Sequence, residues 1–190
     1  MPTRPQTDGG NRNSPDAPAS PSKRIPLGEV DSPMLLDGIA LWRELSCGRK
    51  FPPRSTMTVR VLRSMLRNIT LLRVIDGGRD YEYRVVGDAY VMAHGISFQG
   101  KRWSEIESLA PRHYAAIKPI YDSVVLTGEP VATRGWIERG AHVNEHVYCE
   151  YVYLPLGTEE AGVDHILAFA VYVTRGPSAG TSYWSEYRAP

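Results

Sequence analysis

The run YEYRVVGDAYVMAHG, residues 81–95, changes its apolar period in mid-course, so the fold must mix strands with helices. In its first half Tyr81, Tyr83 and Val85 alternate with Glu82 and Arg84, the two-residue period of a half-buried antiparallel strand. Gly87 ends the alternation, and Asp88 opens a short helical pattern with Tyr90, Val91 and Met92 as its apolar contacts. His94-Gly95 reads as the helix stop, because glycine supplies the left-handed conformation a helix end needs. Strand, tight turn, short helix and glycine stop make one compact crossing unit.

The flanking segments extend this pattern. Ser32 is a candidate N-cap and Pro33 stands at the first helical position. Leu35, Leu36, Ile39, Trp42 and Leu45 follow at helical spacing up to Gly48, which predicts an amphipathic helix from Ser32 to Cys47. A second helical stretch, roughly Val59 to Leu66, leads into the β-rich run Asn68 to Asp76, and Asp76-Gly77-Gly78 signals a hairpin. Beyond the crossing unit, Ser97 to Ile106 is irregular. Pro111 then opens a longer helix with Tyr114, Ile117, Tyr121 and Val124 or Val125 on one face, up to Thr127-Gly128. Val131 to Ile137, Glu145 to Pro155 and His165 to Thr174 read as strands, the last two joined as a hairpin through residues 157–164. The predicted order is two strands, short helices, a long helix, then three strands.

Either side of this body the composition changes. Residues 1–28 carry Pro2, Pro5, Pro15, Pro18, Pro21 and Pro26 among small polar residues, with too little apolar surface to offset the entropy of ordering, and read as a disordered tail. The domain is expected over 29–174. Residues 175–190 read as a flexible tail carrying Tyr183, Trp184 and Tyr187.

Charge narrows the functional classes. Lys and Arg total 22 against 21 Asp and Glu, and the net charge of +1 provides no global field for nucleic acid or an anionic membrane. No run of about 18 apolar residues predicts a membrane span and no secretory leader is visible, which gives the expectation of a cytoplasmic protein. Cys47 and Cys149 are too far apart in sequence for a metal knuckle or a disulfide framework.

Several stretches together resemble bacterial PAS-type proteins in which one such domain is nearly the whole chain. They are Leu41-Trp42 before Pro-Pro-Arg-Ser at 52–55, Leu71-Leu72 before the Gly-Gly turn, YEYRVVGDAYVMAHGISFQGKRWSEI, TGEPV at 127–131 and YLPLG at 153–157. The spacing of Gly87, His94-Gly95 and Gly100 is the most specific element. The resemblance covers roughly Leu35 to Val173. It implies an α+β fold: a five-stranded antiparallel sheet with short helices and one long helix on one face, preceded here by the amphipathic N-terminal helix.

It also implies a sensory or regulatory module, without enzymatic activity or output domain, that acts on a signalling protein partner. A homodimer is one form of that partnership. Pattern assigns Tyr83, Val85, Tyr90, Phe98, Trp103, Tyr121, Val125, Cys149, Tyr151 and Phe169 to the interior between sheet and helices, where a small-molecule ligand would sit. Leu35, Ile39 and Trp42 are interface candidates on the first helix. Arg60, Arg63 and Arg67, at i, i+3 and i+7, form a basic stripe if Val59 to Leu66 is helical, suited to an acidic protein surface or a phosphorylated ligand. Trp103 is bulky enough to fill part of a cavity, so two readings stay open, a ligand-gated sensor and a constitutive adaptor with a filled core.

Catalytic chemistry finds little support. No nucleophile elbow, phosphate loop or dinucleotide fingerprint is present. HVNEH at 142–146 fits a zinc peptidase pattern, so a metalloenzyme using His142 and His146 is the third reading. On a strand, however, the two histidines would stand about 13 Å apart, beyond the reach of one metal. No metal ligand is assigned otherwise. No cofactor is required; haem on His113, or a flavin, is the cofactor considered. Glu150, between Cys149 and Tyr151, faces either the helical cover or the opposite side of the sheet.

Overall fold

The computed structural model describes residues 22–109, 111–137 and 146–175. Six strands form one sheet: β1 (Lys23–Ile25), β2 (Ile69–Ile75), β3 (Asp80–Val86), β4 (Val131–Ile137), β5 (His146–Thr158) and β6 (Gly162–Arg175). Their order across the sheet is β1-β4-β5-β6-β2-β3, and every neighbouring pair is antiparallel. The helices are α1 (Pro33–Ser46), α2 (Val59–Leu62), α3 (Asp88–His94), α4 (Trp103–Leu109) and α5 (Pro111–Thr127). The predicted five-strand, helix-covered α+β arrangement is present. A sixth strand adds to it: Lys23, Arg24 and Ile25 pair with Arg134, Thr133 and Ala132 of β4. This places residues 23–25, expected in the N-terminal tail, in the sheet instead; the short run KRI was hidden between prolines. No helix among the described residues is long and apolar enough to cross a membrane.

The sheet has a core on each face. On one side α3, α4 and α5 cover Leu72, Tyr81, Tyr83, Tyr151, Tyr153 and Ile166. On the other, α1 and the segment around α2 cover Leu71, Val152, Leu154, Leu167 and Phe169. Both faces of β5 and β6 are thereby buried, which explains their nearly continuous apolar runs. α1 lies close against the second face, because a Cβ at Gly38 would stand 2.8 Å from the Phe169 ring. Trp42 anchors it further: its indole N–H donates to the Pro155 carbonyl at 2.8 Å.

Local signals account for the boundaries. Gly95 adopts φ 73° and its N–H closes on the Val91 carbonyl at 2.8 Å, ending α3 as predicted. Gly87 is required for a different reason. Its N–H donates to the Ile69 carbonyl at 2.8 Å, and an added Cβ would collide with the Arg67 carbonyl oxygen at 2.3 Å. Between β2 and β3 the register slips, with Leu71 opposite Val85 but Leu72 opposite Tyr83. Arg84 is the extra residue of a β-bulge. Tyr83 and Val85 therefore take opposite faces of the sheet, against the strict alternation expected of them.

Candidate functional site

The space between the sheet and its helices, where pattern places a ligand, is occupied by side chains. Trp103, at the start of α4, is fully buried. Its ring stacks on Tyr114 at 5.4 Å between centroids and meets Tyr121 edge-on at 5.2 Å, with Tyr83 at 5.9 Å. Tyr90 and Phe98 close the other flank of Tyr83 at 6.2 and 5.8 Å. Offset and edge-on geometries of this kind add about 0.5–1.5 kcal/mol per pair beyond area burial.

Polar tips inside this core bond to one another. The Tyr83 and Tyr121 hydroxyls lie 3.2 Å apart, and the Tyr81 hydroxyl donates to Asp122 Oδ1 at 2.7 Å, a carboxylate that Lys118 Nζ also meets at 2.8 Å. His94 Nε2 sits 2.9 Å from the Tyr151 hydroxyl, itself 2.9 Å from that of Tyr172. Tyr90 bonds His113 Nε2 at 3.3 Å. Burial holds the hydroxyls of Tyr83, Tyr90, Tyr121, Tyr151 and Tyr172 above the ordinary phenol range, so they stay protonated. It also pushes the Cys149 thiol up to about 12, leaving it unreactive. Trp103 Nε1 is buried and has no hydrogen-bond partner among the described residues.

His113 does not suit a haem iron. Burial pushes its imidazole down to about 4. Its Nε2 is engaged by Tyr90, and the Trp103 and Phe98 rings, 5.5 and 5.9 Å from it, fill the space a macrocycle would need. Among the described residues, no group of three metal-ligating side chains converges. Of the zinc-peptidase run, residues 142–145 lie outside the described residues, and His146 opens the extended strand β5.

Tyr83, Tyr90, Phe98, Trp103, Tyr121, Cys149 and Tyr151 do come together in this core, with Val125 partly buried at its border. Two assignments need correction. The bulge at Arg84 turns Val85 to the opposite face, and Phe169 also lies there, beneath α1. The interface candidates on α1 are corrected too: Leu35, Ile39 and Trp42 are 0%, 4% and 7% exposed and belong to the second core. Nor do Arg60, Arg63 and Arg67 form one helical stripe. α2 stops at Leu62, and the chain continues as a 3-10 turn over Arg63–Asn68, because Gly87 must reach the Ile69 and Arg67 backbone just beyond.

Glu150 faces this second side, and its role was not visible in the sequence. It is fully buried, opposite Arg134 in the register of β4 and β5. Arg134 Nε donates to Glu150 Oε1 at 2.9 Å, and Arg134 also pairs with Asp31 at 2.9 Å. The second carboxylate oxygen accepts the Ser32 N–H at 3.1 Å, while Oε1 accepts that of Asp31 at 3.4 Å. Ser32 occupies the N-cap of α1 as predicted, but its own side chain makes no cap bond. A carboxylate from the sheet takes up the amide of the N-cap residue itself instead, at the helix end where the dipole favours negative charge. The signal available was one Glu on a strand otherwise apolar on both faces.

No family model and no curated protein matches the sequence. Among solved structures, the chain is similar to an RNA-binding light-oxygen-voltage receptor, with 16% identity over 82% of this chain and a TM-score of 0.46. It spans 39% of that receptor's length. A sensory box sensor histidine kinase from Vibrio cholerae aligns with 17% identity over 65% of this chain and 94% of its own, with a TM-score of 0.39.

Proposed function

We propose that this chain is a PAS-type regulatory module whose interior is its own aromatic core and which acts by holding a protein partner. The observation that carries this reading is Trp103, fully buried among Tyr83, Tyr114 and Tyr121 where a sensor of this architecture would hold its ligand. A core closed by rings in edge-on and stacked contact offers a rigid platform, and regulation then passes through the surface. The module is a cytoplasmic bacterial adaptor without catalysis of its own, and a second copy of the chain is among the partners it would accept. Native mass spectrometry of the freshly purified protein, with an absorbance scan of the same sample, tests the reading. The expected result is the mass of the bare polypeptide, as monomer or dimer, with no visible band. A stoichiometric added mass or a haem or flavin band would overturn it in favour of a ligand-gated sensor.

A further inference from the structure

The second face of the sheet is not wholly covered by α1. Beside it, Met57, Leu62, Ile69, Leu71 and Val85 line a pocket of about 310 Å³, with Arg54 among its walls. That volume is at the small end of binding pockets, enough for the apolar side chains of a peptide anchor. The segment forming one wall also exposes apolar surface: Val59 is 72% and Val61 39% exposed. Of the two, Val59 stands in the wall of the pocket.

Arg54 stands in the wall of this pocket, and the segment beside it carries further arginines. Arg60 and Arg63 lie on the same segment as Val59 and Leu62, both exposed, and neither is within ion-pair distance of a carboxylate among the described residues. The Arg63 guanidinium turns to the Arg60 carbonyl at 3.0 Å, and that of Arg54 to the Met57 carbonyl at 2.9 Å. Arg67, nearby, meets Asp88 at 3.5 Å.

We infer that this groove docks an acidic amphipathic segment of a partner protein, apolar residues entering the pocket while Glu or Asp side chains meet Arg54, Arg60 and Arg63. The inference rests on the partner-binding reading above and names its surface. Guanidinium groups suit carboxylates because they bind them in a two-pronged fashion. An apolar concavity at the centre of the patch suits a side-chain anchor and gives a phosphate backbone or a flat bilayer nothing to fill.

The test is fluorescence anisotropy on the full chain, with a labelled amphipathic peptide that carries Leu and Phe on one helical face and Glu on the other. A twin with Lys in place of Glu is the control. Micromolar binding of the acidic peptide, no binding of the twin, and at least a tenfold loss in an Arg60→Glu/Arg63→Glu double variant of unchanged melting temperature are expected. Equal affinity for the double variant, no binding of the acidic peptide, or displacement of it by single-stranded RNA or phosphatidylserine vesicles would overturn the inference. The two readings fail separately. A ligand-free chain that does not bind the peptide loses only the groove, whereas a co-purifying chromophore removes the filled-core adaptor reading whatever the peptide does.

Discussion

His113, near the start of α5, leans into the rings of Trp103, Phe98 and His94, and its imidazole is largely shut away from water. Desolvation brings it down to about 4, from the usual value of about 6.5. The unfolded chain then binds a proton that the folded one rejects, so stability rises with pH between about 4 and 6.5 and is lost as pH falls through that window. Below the folded value the loss saturates. Each pH unit between the two values corresponds to about 1.4 kcal/mol of stability. Urea midpoints measured across this range are expected to fall with acidification in the wild type, and to fall less steeply in His113→Asn, which cannot take up the proton. Parallel slopes would show that His113 is not the group responsible. Sequence alone offered His113 as a haem ligand, because the rings that surround it come from other elements. The residues that sequence placed in this core, Tyr83, Tyr90, Trp103 and Tyr121 among them, were legible because large aromatics at strand or helix period have few places to go. The hydrogen bonds between their tips were not, because they join residues 21 to 57 positions apart.

At the scale of the element, α1 is the instructive case. Its amphipathic period, Pro33 start and Gly48 stop are local signals, and the helix forms where they place it. Where its apolar stripe goes is a tertiary matter. The stripe faces the chain's own sheet, because Gly38 permits close approach to Phe169 and Glu150 offers a cap from the facing strand. Val85 fails for a related reason: period-two reasoning assumes an unbroken ladder, and the bulge at Arg84 depends on the partner strand. The cap makes a prediction. Glu150→Gln keeps the shape but removes the charge that answers Arg134 and favours the α1 N-terminus. Breaking a buried pair on one side costs about 3–5 kcal/mol, and the lower end is expected here because Asp31 still faces Arg134. Hydrogen exchange should quicken first at the amides of residues 31–36. Uniform quickening across β5 and β6 instead would mean that the pair supports the sheet rather than the helix.

For the whole molecule, the sheet carries a separate packed core on each of its faces. The helix-side core closes around Trp103, and the second core seats α1 beside a pocket that has Arg54 in its wall. If Trp103 is what turns a ligand-binding architecture into a solid one, removing it should restore a cavity without dismantling the sheet. Trp103→Ala is expected to cost about 3–5 kcal/mol, the range for a large aromatic cut from a packed core. The space it leaves would be bounded by Tyr83, Tyr114 and Tyr121, apolar over most of its walls, and able to take a planar aromatic molecule, as dry engineered cavities do. Indole should therefore raise the melting temperature of Trp103→Ala, in proportion to the logarithm of its concentration once saturating, and leave the wild type unmoved. A wild-type chain stabilised equally by indole would mean that the interior already opens on its own. In that case the distinction between sensor and adaptor would rest on dynamics rather than on the bulk of one side chain.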